Sequence, residues 1–434
     1  MDDLAPAIHP YERLPEEWAE VLRSRGEPRY RALQVFRWVH ARGVLDPAEM
    51  TDLPKSLRQA LVDDLADAGG VPEVSLLQRS DDGTRKLLLR LRDGREVETV
   101  LIPRAVDGPD GSGDGSGEDA EDDPGRGAPA GPGPARAGSV EVSQCVSSQV
   151  GCAMGCVFCA SGVAGLRRHL GAAEVVAQVI ARHRALEADE RLGHLVFMGM
   201  GEPLHNYEAV RRALVLLTHP EGLGLSPRRI TVSTSGLVPQ IDRLAQDFGG
   251  RVGLAISLHA PDDETRSHIL PVNRKYGLRE LIPALRRYPL PRRARITIEY
   301  TLLAGVNDSP AHARALVALL RGLRVKINLI PMNPIPGSDL VAPPPAATRA
   351  FQRVLREAGL PVFLRLQRGD DIDAACGQLA LSRADAEGRR RRRPSASARG
   401  GDDEAGGAGN AGTKTTGGLD PRALPVLGVE GPRG

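Results

Sequence analysis

The chain predicts an α/β fold: a partial (β/α)6 barrel preceded by a small helical module and a β-hairpin. Three observations carry this. After Ser139, short β-rich runs alternate with amphipathic helical runs at a regular beat, the pattern of parallel strands joined by right-handed crossovers. About six such units occur, which suits a barrel or partial barrel better than a broad open sheet. Glycine and polar residues gather at the strand C-termini, in Gly199-Met200-Gly201-Glu202-Pro203, Ser233-Thr234-Ser235-Gly236, Ser257-Leu258-His259 and Asn333-Pro334. Barrels place their chemistry there.

Residues 1–80 form the helical module. Helical spacing covers 15–25, 30–42 and 54–66; in the second, Leu33, Phe36, Trp38 and Val39 fall among Arg31, Gln34, Arg37 and Arg42, an amphipathic pattern. Residues 81–104 form a hairpin, with strands over 86–92 and 96–102 meeting at Asp93-Gly94, a strong turn signal. Residues 105–138 are an acidic Gly/Pro-rich insert without apolar periodicity, expected to be disordered. The barrel, with a C-terminal segment carrying Cys376, spans 139–382. Its strands are predicted over 195–198, 229–233, 252–257, 295–302, 326–330 and 362–366. Helices are predicted over 207–218, 237–246, 278–287, 310–323 and 347–358. Residues 383–434, with five consecutive arginines (Arg389 to Arg393), are a tail expected to be disordered.

Composition narrows the function classes. Of 434 residues, 41% are hydrophobic and 26% charged, as in ordinary globular proteins. No apolar run approaches the roughly 18 residues a membrane span needs, and the start MDDLAPAIHP predicts no secretory signal. Five cysteines do not make a disulfide scaffold, so a reducing cytoplasm is the expected compartment. The insert carries −6 and the tail +3, so the total of +2 leaves +5 on the rest. That is compatible with a phosphate-bearing partner.

Four of the five cysteines lie within fifteen residues: Cys145, Cys152, Cys156 and Cys159. The last three have C-x3-C-x2-C spacing. A tight loop of this kind can aim three thiolates at a [4Fe–4S] cube and leave the fourth iron open for a small chelating molecule. A structural zinc site, with Cys145 or His169 as fourth ligand, is an alternative, as is a redox pair of Cys156 and Cys159. The spacing favours the cluster.

Five segments carry a resemblance. They are CVSSQVGCAMGCVFC (145–159), MGMGEPL (198–204), TVSTSG (231–236), ISLHAP (256–261) and RGDDIDAACGQL (368–379). The cysteine loop with Phe158 before its last cysteine, followed by Gly201-Glu202-Pro203, resembles the radical S-adenosylmethionine superfamily, and the barrel is expected to be of that type. More narrowly, residues 30–381 without the insert resemble the bacterial dual-specificity adenine-C2 methyltransferases of 23S rRNA and tRNA. Adenine C2 is electron-poor and no nucleophile, so direct displacement at a sulfonium methyl cannot methylate it.

The resemblance implies one [4Fe–4S] cluster on Cys152, Cys156 and Cys159, and two S-adenosylmethionine molecules per turnover. One methylates Cys376; the other yields a 5′-deoxyadenosyl radical. That radical takes hydrogen from the S-methyl group, and the methylene radical adds to C2. A base, Glu98 in the VETVLIP segment, removes the C2 proton. Cys145 then forms a disulfide that frees the product. Expected S-adenosylmethionine contacts are Gly201, Glu202, Ser233, Ser257, Leu258, His259 and Asn333. The resemblance further implies 23S rRNA and tRNA partners, a reducing electron donor such as flavodoxin, no membrane and a monomer. The related C8 methyltransferases of the antibiotic-resistance type use the same cysteines and are the alternative. Taken alone, Glu98 reads as a solvated strand carboxylate and Cys376 as a buried core thiol.

The helical module is expected to be an RNA-binding accessory. Candidate contacts are Arg29, Arg31, Gln34, Arg37 and Arg42 with Tyr30 or Trp38, and the loops Arg167-Arg168-His169 and Asn273-Arg274-Lys275. A target base would have to leave its stack to reach the cavity.

Overall fold

The structure, a computed structural model, describes residues 9–68, 72–104, 140–335, 338–365 and 367–379. The insert at 105–138 and the tail at 383–434 lie outside these residues. The helical module contains α1 (Pro15–Ser24), α2 (Tyr30–His40) and α3 (Lys55–Asp67). Its core is Trp18, Leu22, Val35, Phe36, Val39, Leu57 and Leu61, all buried. Each such side chain contributes roughly 1.5–3 kcal/mol on leaving water.

Next come the strands β1 (Glu73–Arg79), β2 (Arg85–Arg90) and β3 (Glu96–Pro103), then β4 (Val140–Cys145). Two short strands, β5 (Gln149–Val150) and β6 (Arg168–His169), flank helix α4 (Ala160–Ala164). The repeating part continues with α5 (Ala172–Ala181), β7 (Glu190–Phe197), α6 (Tyr207–Thr218), β8 (Ile230–Thr234), α7 (Val238–Phe248) and β9 (Gly253–Ser257). It closes with α8 (Asp263–Ile269), α9 (Leu278–Arg287), β10 (Ile296–Leu302), α10 (Pro310–Leu319), β11 (Val325–Pro331), α11 (Pro345–Glu357) and β12 (Val362–Leu364).

Ten strands form one sheet in the order β1-β2-β3-β4-β7-β8-β9-β10-β11-β12. The β1–β4 neighbours are antiparallel; every pair from β4 to β12 is parallel. Six strand–helix units and a closing strand therefore make up the predicted (β/α)6 architecture. An antiparallel arm continues its edge.

Not legible in the sequence were the short elements β5, β6, α4 and α8 and three longer ones, β1, β4 and α5. β1 lies inside the stretch expected to be helical, and its pairing with β2 makes the expected hairpin a three-stranded arm starting at Glu73. Its residues are mostly half-buried, which blurs the two-residue alternation a strand normally shows. β4 buries Gln144 and Cys145 beside Val142, so its polar composition conceals it. α5 is buried nearly all round and shows no polar face to betray a helical period.

The module docks through polar contacts. Arg37 reaches Glu221 at 2.5 Å, Arg212 pairs with Glu17, and Glu12 accepts from the Ala173 amide at 2.8 Å.

Candidate active site

One cavity of about 930 Å3, counting its open mouth, lies at the C-terminal ends of the parallel strands. Strand pleating puts alternate residues on its wall. In β10, Glu299 and Thr301 face the cavity. Ile298, Tyr300 and Leu302 join the hydrophobic core. Phe197, Ser233, Thr234, Ser257 and Ile330 add wall positions from four other strands.

Cys152, Cys156 and Cys159 all line this cavity. Their loop rests on a small apolar platform of Phe158, Ile269, Leu270, Leu303, Met332 and Ile335. Phe158 stacks edge-on against His259, with ring centroids 4.6 Å apart. Gly162 in α4 admits the loop closely, since a Cβ there would come 2.8 Å from the Cys156 nitrogen. Burial raises all three thiols, Cys152 to about 12. For Cys152 and Cys156, the nearby cysteines and Glu202 raise them further. Three such groups ionise together only when a cationic centre compensates them.

Neither expected fourth zinc ligand joins the trio. Cys145 is not among the cavity residues, and His169 Nδ1 lies 3.0 Å from Gln149 Nε2. Among the described residues, no three His, Cys, Asp or Glu side chains are gathered to hold a single metal ion. A tetrahedral zinc site needs that convergence; a cube takes one thiolate at each of three separate corners.

Of the seven expected ligand contacts, Gly201, Glu202, Ser233, Ser257, His259 and Asn333 line the cavity. Leu258 does not; its side chain is fully buried in the core. Gly201 has φ +101° and a Cβ there would strike Gln149 at 2.5 Å, so only glycine fits. Glu202 bridges two strand ends: Oε2 accepts from Ser235 N at 2.7 Å and Ser235 Oγ at 2.8 Å, and Oε1 from Leu204 N at 3.0 Å. Burial pushes this carboxyl up while those bonds pull it down. His259 has φ +58°, an uncommon conformation for a non-glycine residue. Its Nδ1 accepts from Thr301 N at 2.9 Å, which leaves the proton on Nε2. Burial and then Arg266 lower its pKa to about 3, so the ring is neutral.

Cys376 also lines the cavity. It is exposed, and the space it sees is the cavity itself. Asn333 Nδ2 donates to its carbonyl at 2.9 Å. The next carbonyl, of Gly377, accepts from Ala160 N at 2.7 Å, tying the segment to the cysteine loop. Although the residue is open to the cavity, the protein packed around that cavity desolvates the Cys376 thiol and raises it; Arg365 opposes this and Glu299 adds to it.

Cys145 and Glu98 are not among the residues that line the cavity; they lie in the adjacent strands β4 and β3. Cys145 is buried, and burial, then the charge of Cys376, raises its thiol. All five cysteines are free thiols. Glu98 is 2% exposed, not the solvated carboxylate its strand position suggests in isolation. Lys86 Nζ lies 3.3 Å from its Oε1. Burial raises Glu98 to about 7, with Lys86 acting downward and Asp373 and Glu96 upward.

Arg266, Glu299 and Lys86 escaped sequence reading. Arg266 is fully buried and donates to the carbonyls of Leu258 (3.0 Å), Ser235 (2.7 Å) and Ser257 (3.2 Å) and to Asn273 Oδ1 (2.6 Å). It thus holds the ends of β8 and β9. In the sequence it looks like a surface arginine on a short acidic helix. For Lys86, the available signal was a charge opposite in sign to Glu98 on the neighbouring strand.

Several RNA candidates are already engaged. Arg37 serves the Glu221 contact, Arg168 grips Asp93 and Glu174, and Asn273 is buried against Arg266. Arg31 donates to Gln34 at 2.7 Å. Tyr30 is 58% exposed, and Arg42 stacks over Trp38 at 4.0 Å.

Comparison with known proteins adds independent findings. A profile described as "Radical SAM superfamily" matches residues 146–316. A second, "Ribosomal RNA large subunit methyltransferase N-terminal domain", matches residues 15–66. A "Dual-specificity RNA methyltransferase RlmN" of Sorangium cellulosum (strain So ce56) is 59% identical over 88% of this chain and 98% of its own length. A protein of the same name from Marinobacter nauticus is 47% identical over 82% and 87%. The crystal structure of a radical SAM methyltransferase from Sphaerobacter thermophilus, 44% identical, superposes with TM-score 0.73 over 86% of this chain and 99% of that one.

Proposed function

Because the chain belongs to the dual-specificity RNA methyltransferase family of the radical S-adenosylmethionine superfamily, we propose that its reaction is methylation of adenosine C2. The substrates are 23S rRNA at the peptidyl-transferase centre and tRNA 3′ of the anticodon. The enzyme is an RNA methyltransferase that uses a [4Fe–4S] cluster and two S-adenosylmethionine molecules per turnover. Cys152, Cys156 and Cys159 fit the cluster: they share one cavity and a need for cationic compensation, and Cys156 and Cys159 pack on the apolar platform. When bound, the cluster supplies the reducing electron that converts S-adenosylmethionine to a 5′-deoxyadenosyl radical.

The remaining chemistry belongs to this chain. Cys376 attacks the sulfonium methyl, forming an S–CH3 bond as the old one breaks, and later presents that methyl to the target base. Its segment is held by Asn333 for this purpose. The six expected cavity contacts supply hydroxyl, amide and carboxylate partners for the nucleotide's polar groups. Glu98 receives the C2 proton, and Cys145, near enough to Cys376 for their charges to interact, attacks the Cys376 sulfur: the S–S bond forms as the S–CH2 bond breaks, the carbon takes a proton to become the methyl group, and the adduct's unpaired electron would pass back to the bound cluster. The exposed Tyr30 and the Arg42–Trp38 stack support an RNA face on α2. No helix among the described residues is long and apolar enough to cross a membrane. A cytoplasmic monomer reduced by a flavodoxin-like donor completes the proposal.

One observation carries this reading: Cys376, far along the chain, shares a cavity with the three loop cysteines. The test is nucleoside mass spectrometry of rRNA and tRNA after anaerobic incubation with reconstituted enzyme. We expect 2-methyladenosine in both; 8-methyladenosine alone, or no methylated adenosine, contradicts the proposal.

A further inference from the structure

Lys86 sits where three parts of the molecule meet. It projects from β2 and is 3% exposed. Its Nζ lies 3.3 Å from Glu98 Oε1 in β3 and donates to the Asp373 carbonyl at 3.3 Å. Asp373 belongs to the Cys376 segment and has φ +52°, so its carbonyl is aimed by an uncommon backbone conformation. The same segment is fastened to the arm at further points. Gly369 N donates to Asp82 Oδ2 at 2.9 Å, Ser80 Oγ to Asp371 Oδ1 at 2.5 Å, and Arg368 to the Pro103 carbonyl at 3.1 Å.

The two oxygens of Glu98 differ. Oε1 is held by Lys86; Oε2 is buried and has no hydrogen-bond partner among the described residues. An ion pair kept only for packing gains little over apolar side chains of similar size, and leaving a carboxylate oxygen bare adds a desolvation cost. One fixed oxygen and one open oxygen is the arrangement a proton acceptor needs.

We propose that Lys86 is a positioning residue for proton removal: its ammonium ties the Glu98 carboxylate to the Cys376 segment, setting base and methyl carrier in place together. The proposal rests on the reading of Glu98 as the base. A buried carboxyl without a cation drifts toward its neutral form, which cannot accept the proton. The ionisable groups facing Glu98 are Lys86, Asp373 and Glu96; toward β4 it meets Ser147, whose hydroxyl donates to the Glu98 carbonyl at 2.6 Å. On accepting the C2 proton Glu98 becomes neutral and the C–H pair stays in the adenine ring. Lys86 keeps its proton and its bond to Asp373.

The test is carbon-13 NMR titration of Glu-labelled full-length enzyme, with the Glu98 signal assigned by its loss in Glu98→Gln. Lys86→Met should raise the Glu98 midpoint by roughly 1 to 3 pH units, and Lys86→Arg should restore it. In the reconstituted enzyme, Lys86→Met should still methylate Cys376 while the protein–RNA adduct persists longer at neutral pH than at high pH. Should Lys86→Met fail to fold, Lys86→Gln is titrated instead with the same expectation. An unmoved midpoint, or wild-type adduct lifetimes across pH, overturns the proposal. Full RNA methylation by Glu98→Gln removes Glu98 as the base, an outcome distinct from an unmoved midpoint.

Discussion

The barrel mouth and the antiparallel arm bury polar side chains in opposite ways. At the mouth, Glu202 and Asn333 sit on loops that follow strands and Arg266 on helix α8, and each is met by hydrogen-bond partners from neighbouring segments. In the arm, Lys86 and Glu98 project from paired strands, and one oxygen of Glu98 is left without a partner among the described residues. The first arrangement builds a rigid receptacle; the second stores an unsatisfied group for use. A mouth of strand ends is what a parallel barrel provides for any ligand. The arm is what this chain adds beside it, and the Cys376 segment is bonded to both.

The largest break in that comparison comes from the shared segment. Cys376→Ala should abolish RNA methylation yet leave the iron content and reductive cleavage of S-adenosylmethionine intact. Cys156→Ala should lose the cluster and both activities. Coincident loss of iron in the two variants would mean that mouth and segment do not divide the work. Next, Cys145→Ala should accumulate a covalent protein–RNA adduct, visible on denaturing gels; clean product release would remove its resolving role.

Glu98→Gln sharpens the arm's side of the comparison. Turnover should fall by about 10^2- to 10^4-fold, the usual range for a general base. The same variant should change stability with a defined sign. Burial raises Glu98 from 4.5 to about 7, so its contribution to stability is fully present below pH 4.5 and is lost as pH rises through about 7. Glutamine removes that decline. Relative to wild type, the variant should therefore improve by on the order of 1–3 kcal/mol between pH 4 and pH 8, on top of a fixed cost for leaving buried Lys86 without its counter-ion, measured by urea denaturation. A difference from wild type that is equal at both pH values contradicts the buried, raised carboxyl.

The mouth predicts the reverse. Arg266→Met removes a donor from three carbonyls and Asn273, of which the Leu258 carbonyl is also met by Ala260 N, so stability should drop by about 2 kcal/mol. The smallest effect is expected for Gly162→Ala, whose added methyl presses on Cys156. It should lower iron occupancy in part and leave the fold's melting transition within a few degrees.

Legibility in the sequence follows the same division. The mouth announced itself because strand-end glycines, serines and a tight cysteine spacing are local patterns: Cys152, Cys156, Cys159, Gly201, Glu202, Ser233, Ser257 and His259 all reach the cavity. Helices α6 and α9 fell on their predicted residues because each has one apolar face. The arm stayed hidden because its function depends on cross-strand neighbours. Glu98 shows its burial only once Lys86 and the Cys376 segment close over it. Leu258, expected among the ligand contacts, turns its side chain into the core while Ser257 and His259 on either side line the cavity. Arg266 was missed because a buried guanidinium that holds carbonyls has the same local sequence as an exposed one.

The account turns on Cys376 as the methyl carrier. Reconstituted enzyme given S-adenosylmethionine bearing an isotopically labelled methyl group, then digested, should yield a peptide around Cys376 heavier by that one labelled methyl. On chase with RNA the label should pass to adenosine C2. Turnover with an unmodified Cys376 peptide throughout would contradict the account.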